Sequence, residues 1–223
     1  MTGAAYARYS RAKGGFREVL LKEFIKEGNI DPKHADELIA RILVAYGDDS
    51  VGELEGVHLS FENISNLAAK FIENTRIGGS PIEQSSRYVV YDQKDEQGRF
   101  RYLREKKIMA SSHAREYEET LDFIFQTYLD LVPKLTEYFQ KLNPLESAQY
   151  DIRGTGEPLF FKDCKDDNEK TAFNRTYTFD VRTKTCDTLR CLLPAATLTN
   201  VGMFGNGRFY QNVLSNLYSS DLA

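Results

Sequence analysis

From about Ser112 to Leu142 the chain carries Leu121, Phe125, Tyr128, Val132, Leu135 and Phe139 at helical spacing. A helix of that length has to bury its stripe along most of its course, and other helices are the natural cover. Pro133 falls inside it and is expected to kink it. The aromatic members read as core, not as contacts for a cofactor. Elsewhere, strand-like runs are few and never alternate with helices as βαβ units do. The expected fold class is therefore α+β, helix-rich with a small, mostly antiparallel sheet.

The remaining elements follow from periodicity and punctuation. Residues 1–15 are small and basic and read as a loose arm. Phe16, Val19, Leu20 and Phe24 predict a helix to Glu27, stopped by Gly28-Asn29. Asp31-Pro32 opens another, with Leu38, Ile39, Ile42, Leu43 and Tyr46 apolar and Gly47 closing it. Ser50 and Glu53 fit a capping box. Ile64, Leu67, Ala68, Phe71 and Ile72 predict a helix from Asn63 to Asn74. Arg87–Tyr91 and Phe100–Leu103 look like strands. The segment Asn143–Asn174 reads as an irregular excursion over the surface, with Lys162–Lys170 as a solvated charge run. Phe179–Leu193 reads as a helix closed by Pro194, Ala195–Phe204 as extended, and Asn206–Tyr218 as a helix with Val213, Leu214 and Leu217 apolar.

Composition bounds the class. The chain has 223 residues, 41% hydrophobic and 28% charged, enough to bury a core in one large domain. A net charge of -4 argues against a general binder of nucleic-acid polymers, although a single nucleotide needs only a few arginines. Cys164, Cys186 and Cys191 make no disulfide framework, and reducing, cytoplasmic surroundings are expected. His34, His58 and His113 lie far apart, so no metal site is expected. No apolar stretch approaches a membrane span, and no signal-peptide core is present at the N-terminus.

Two polar blocks stand out. The first, Glu83-Gln84-Ser85-Ser86-Arg87-Tyr88, follows the helix stop Arg76-Ile77-Gly78-Gly79-Ser80-Pro81. A carboxylate, an amide, two hydroxyls and a guanidinium in so short a stretch suit a ligand with a phosphate and hydrogen-bonding ring edges. A phosphate loop of the Rossmann or P-loop kind does not fit, because a helix precedes the glycines. The second block holds Arg190 within Leu189-Arg190-Cys191-Leu192-Leu193-Pro194, then Thr199, Asn206-Gly207-Arg208 and Asn212. Arg190 among apolar residues needs a partner, a carboxylate or a bound phosphate. Asn206 stands at a helix start, where an Asn can cap.

In this order the two blocks resemble the flavin-dependent thymidylate synthase family. Glu83, Ser85, Arg87 and Tyr88 match its Glu-x-Ser-x-Arg-Tyr loop, and Arg190, Leu193, Pro194, Thr199, Asn206, Arg208 and Asn212 match its later motif. The resemblance covers roughly Asp36 to Ser219, with Asn143–Asn174 as an insertion. It implies the family's fold over residues 1–223 as one domain, lacking a last helix or forming the first part of a longer protein. It implies a deoxyuridine monophosphate site at Glu83, Ser85, Arg87 and Arg190, and flavin contacts at Arg76, Asn206 and Asn212. It implies methylation of the uracil, with FAD as cofactor and methylenetetrahydrofolate and NADPH as co-substrates. No enzyme cysteine need attack the pyrimidine, and no residue is assigned a catalytic role. It also implies a homo-oligomer, a tetramer in the family. Three departures accompany it: Thr75-Arg76-Ile77 replaces an Arg-His-Arg signature, Leu217 replaces an arginine, and no histidine stands near Ser50. These point to an alternative, a non-catalytic nucleotide-binding homologue paired with a complete synthase domain.

Overall fold

The structure, a computed structural model, describes residues 2–26, 29–30, 33, 36–37, 49–75 and 77–219. The helix expected between Asp31 and Gly47 lies almost wholly outside them. The chain divides into two compact units: Met1–Asn63 with Ala68–Glu83 and Asn200–Ala223, and Ile64–Leu67 with Gln84–Thr199.

The first unit opens with helix α1 (Thr2–Tyr9), not with the expected loose arm. Ala4, Ala5 and Ala7 explain the difference. Alanine is the strongest helix former, and these three bury against Val19 and Phe24. Helix α2 (Phe16–Val19) runs on as a π-helical turn, Leu20–Phe24, and gives way to strand β1 (Ile25–Lys26) paired with β2 (Asn29–Ile30). The helix expected to reach Glu27 thus ends at Phe24.

A 3-10 turn (Asp49–Leu54) leads into β3 (Gly56–Ser65), a strand the sequence reading passed over. Because β3 runs to Ser65, helix α3 (Asn66–Asn74) starts later than expected. Ala69 and Ile72 are its buried residues, while Leu67 and Phe71 are exposed. Strand β4 (Gly79–Glu83) follows, and with β7 (Leu198–Asn206) completes a sheet of order β3-β7-β4. β4 is an edge strand, which is where Pro81 can be tolerated. Gly79 and Gly205 sit opposite each other in the antiparallel β4–β7 register. A Cβ at either would lie 2.5 or 2.4 Å from the Phe209 ring, so the paired glycines make room for that side chain. Phe209 belongs to helix α7 (Gly207–Tyr218), which buries Phe209 and Val213.

The second unit is built on α5 (Ala114–Leu142), the long helix the stripe predicted, with Pro133 inside it. A short helix α4 (Lys106–Met109) precedes it. Leu121 and Phe125 pack with Phe100 and Tyr102 in one apolar cluster. The strands expected at Arg87–Tyr91 and Phe100–Leu103 are absent: the first is a turn, and the second makes only single bridges, Lys94 to Phe100 and Tyr102 to Thr197. Beyond α5 the chain forms the small hairpin β5 (Gln149–Tyr150) and β6 (Leu159–Phe160). This is no mere surface excursion, since Ala148 and Leu159 bury against Phe173, Tyr177 and Val181.

Helix α6 (Asp167–Leu189) starts well before the expected Phe179. The acids of the supposed solvated charge run belong to its N-terminus. Asp166 caps it by accepting from the Glu169 N–H at 2.9 Å, and Asp167 and Glu169 favour the positive end of the helix dipole. Glu169 also takes a double hydrogen bond from Arg153, each 2.7 Å, and accepts from the Lys165 N–H. The arginine bonds above all hold the Glu169 carboxyl down at about 2. A 3-10 turn, Arg190–Leu192, ends the helix, so the stretch expected to stay helical to Leu193 breaks at Arg190.

Candidate functional site

The first polar block is divided. Glu83 ends β4 in the first unit, while Ser85 and Arg87 belong to the second. There a turn forms as Tyr88 N and Val89 N both donate to the Ser85 carbonyl. Ser85 Oγ accepts from Arg87 N at 3.3 Å. The turn presents Arg87 to α6, and Tyr88 stacks on Phe179 of the same helix with ring centroids 5.4 Å apart.

Arg87 Nε lies 3.0 Å from Asp187 Oδ1, and Arg190 Nε lies 3.1 Å from the same oxygen. The two arginines singled out from separate motifs therefore meet on one carboxylate. Neither N–H is aligned on that oxygen, which is shielded from solvent and accepts no well-directed hydrogen bond. Two guanidinium groups facing one carboxylate leave an excess of one positive charge. Each is engaged through Nε, so the remaining donors are available to an anion. Four residues before Asp187 on α6, Thr183 has a buried hydroxyl that is also without a hydrogen bond. Thr183, Asp187 and Arg190 recur at helical spacing along one stripe.

Asp187 and Thr183 were missed by the sequence reading. Their signal was the i, i+3 relation of Asp187 to Arg190, hidden while Arg190 was read as a cation inside an apolar helix. Arg190 is in fact exposed, and its partner is a carboxylate.

Cys191, next to Arg190, gives its thiol to the Thr188 carbonyl. Burial pushes the Cys186 and Cys164 thiols above the usual range, away from nucleophilic thiolate. Thr199 is fully buried, with a hydroxyl that has no hydrogen-bond partner.

The second block's asparagines lie in the first unit. Asn206 is the N-cap of α7: its Oδ1 accepts from the Phe209 N–H at 2.8 Å, and its own N–H donates to the Gly78 carbonyl. Gly78 has φ +85°, and a Cβ there would lie 3.0 Å from Asn206 Oδ1. Its glycine thus serves both a left-handed turn and a close approach. Glu53 pairs with Arg208 at 3.0 Å, and the side chain of Ser50, its expected capping-box partner, lies outside what the structure describes. Asn212 is exposed on α7. Capping occupies the Asn206 oxygen and leaves its amide protons, so for a flavin Asn206 and Asn212 offer amide donors and the Asn212 oxygen. Arg76 lies outside the described residues. Among the described residues no group of three His, Cys, Asp or Glu comes together to hold a metal, and no helix is long and apolar enough to cross a membrane.

Comparison with known proteins supplies the context. A family model described as thymidylate synthase complementing protein matches residues 2–222. Among similar curated proteins, a UPF0159 protein of Chlamydia pneumoniae is 42% identical over 233 residues, covering 99% of this chain and 39% of its own length. A UPF0159 protein of Chlamydia muridarum is 41% identical, with the same 99% and 39% coverage. One of Thermoplasma acidophilum is 36% identical, covering 96% of this chain and 42% of its own length. The chain thus spans about two fifths of the curated relatives it matches.

Proposed function

Because the chain belongs to the thymidylate synthase complementing protein family, we propose that it is a thymidylate synthase-like domain that binds deoxyuridine monophosphate. The observation that carries this reading is the convergence of Arg87 and Arg190 on Asp187. Asp187 orients both guanidinium groups without cancelling them, and the surplus charge suits a phosphate dianion. Ser85, in the same turn as Arg87, would complete the contact through its hydroxyl. Glu83 would address the uracil edge, and Asn206 and Asn212 would meet a flavin.

On the fullest form of the proposal, residues 1–223 adopt the flavin-dependent thymidylate synthase fold and convert dUMP to dTMP in a homo-oligomer. Methylenetetrahydrofolate would be the carbon donor, and NADPH the source of electrons for FAD. Bound flavin would supply hydride. The part played by this chain's residues is positioning and electrostatics. The raised thiols of Cys164 and Cys186 accord with a reaction that needs no cysteine nucleophile.

A second reading is favoured by one feature, Thr75-Arg76-Ile77 in place of Arg-His-Arg. On it, the domain binds the nucleotide and leaves turnover to a complete synthase domain. The two readings separate in a visible absorption spectrum of protein incubated with FAD, desalted and titrated with dUMP. Retained flavin whose spectrum shifts with nucleotide supports the synthase. Nucleotide binding without retained flavin supports the non-catalytic domain. Absence of both sinks the assignment.

A further inference from the structure

The turn that carries Arg87 is tied down at its base and at its tip. At the base, the Tyr91 N–H donates to the hydroxyl of the fully buried Tyr128 at 3.4 Å. The Tyr91 hydroxyl reaches back to the Gln84 carbonyl at 3.5 Å and closes the turn on itself. At the tip, the Tyr88 ring stacks on Phe179 of α6, with 24° between the ring planes. The Arg182 guanidinium stands 5.7 Å from the centroid of the same Phe179 ring, within cation–π range.

The ion pair of Arg87 with Asp187 does not explain how the tip is held. The Arg87 side chain is 48% exposed and that of Asp187 38%, and pairs so open to water contribute little. An arginine also has many rotamers, so a guanidinium held at its far end leaves the backbone of the turn free to shift. A tyrosine ring is only two rotatable bonds from the backbone, so seating it fixes the chain beside it. Phe179 lies outside the apolar clusters built on Phe173 and on Phe125, so those clusters do not account for its ring.

We infer that Phe179 is a positioning residue for the nucleotide: by seating Tyr88 it holds Arg87 over Asp187 and beside Arg190, while touching no phosphate itself. Phe179 precedes Asp187 by eight residues on α6, about 12 Å along the axis. The turn therefore meets the helix at two points, a ring at one and a guanidinium at the other, and two points set its direction. The inference rests on the reading of Arg87 as a phosphate ligand, but the anchoring of the turn has a readout that needs no nucleotide.

The test combines hydrogen exchange resolved to single amides with dUMP titration, on the parent, Phe179→Ala and Phe179→Tyr. Phe179 is half-exposed, and circular dichroism checks that each variant folds. Without nucleotide, exchange at the Tyr88 and Val89 amides, which donate to the Ser85 carbonyl, should rise about fivefold in Phe179→Ala. The Tyr91 amide, held by Tyr128, should exchange as in the parent. Phe179→Tyr keeps the ring and should restore the parent rates. Phe179→Ala should also bind dUMP about fivefold more weakly, yet in an Arg87→Ala background the same change should cost less than about twofold. Unchanged exchange at Tyr88 and Val89, or equal losses of affinity with and without Arg87, would overturn the inference. A parent that binds no dUMP would sink the nucleotide assignment instead, and the exchange rates would still decide whether Phe179 anchors the turn.

Discussion

Asp187 governs what Arg87 and Arg190 can do. By holding one nitrogen of each, it spares both side chains part of the ordering cost that binding would otherwise impose. Arg87→Ala should therefore weaken dUMP binding by about 2 kcal/mol, roughly thirtyfold in Kd. Stability should hardly move, since an exposed pair contributes at most about 1 kcal/mol and the melting temperature should stay within about 3 °C. A large fall in melting temperature with unchanged binding would make Arg87 a structural cation. Glu169 gives a prediction in pH. Its folded carboxyl, held down at about 2, contributes stability that is present above the ordinary glutamate range near 4.5 and is lost as pH falls toward 2. The urea midpoint of Glu169→Gln should lie below that of the parent at pH 7, and the gap should close as pH falls from 4.5 toward 2. A gap independent of pH would assign the effect to shape and not to charge. Residue types were legible in the sequence at Arg87 and Arg190. Their meeting was not, because it depends on a carboxylate distant from Arg87 in sequence and near it only once α6 and the Ser85 turn have formed.

Elements were legible where one period dominated. The α5 stripe is long enough for the helical pattern to be unambiguous, and Leu121, Phe125 and Tyr128 are buried as it predicts. Phe125→Ala should cost about 3–5 kcal/mol, read as a fall of roughly 10 °C in melting temperature. A loss under about 1 kcal/mol would remove Phe125 from the core. β3 shows the opposite case. Val57, Leu59 and Phe61 alternate with His58, Ser60 and Glu62, a strand period, but the run is short and lies between the helix-start pattern at Ser50 and the helical spacing that begins at Ile64. The start of α6 was hidden for another reason. Its first turns are polar and charged, so capping and the helix dipole mark the beginning, not a hydrophobic stripe. Gly79→Ala tests the sheet at the same scale. A Cβ there meets the Phe209 ring at 2.5 Å, so the variant should lose about 1–3 kcal/mol in denaturant titrations. Unchanged stability would mean that Phe209 can move aside.

For the molecule as a whole, the order of the motifs carried more than any one of them. Glu-x-Ser-x-Arg-Tyr and the later Arg, Thr and Asn positions are each ordinary sequence, but both in order were enough to point to the family the chain belongs to. The relatives extend well beyond the span that matches this chain, and the proposed phosphate grip of Arg87 and Arg190 concerns residues within the matched span. That grip is the central claim, and calorimetric titration with dUMP tests it most directly, on the parent, Arg87→Ala and Arg190→Ala. The account predicts a saturable site in the parent and a loss of about thirtyfold or more in each variant, with both still folded. No binding by the parent, or equal affinity in all three, would contradict it.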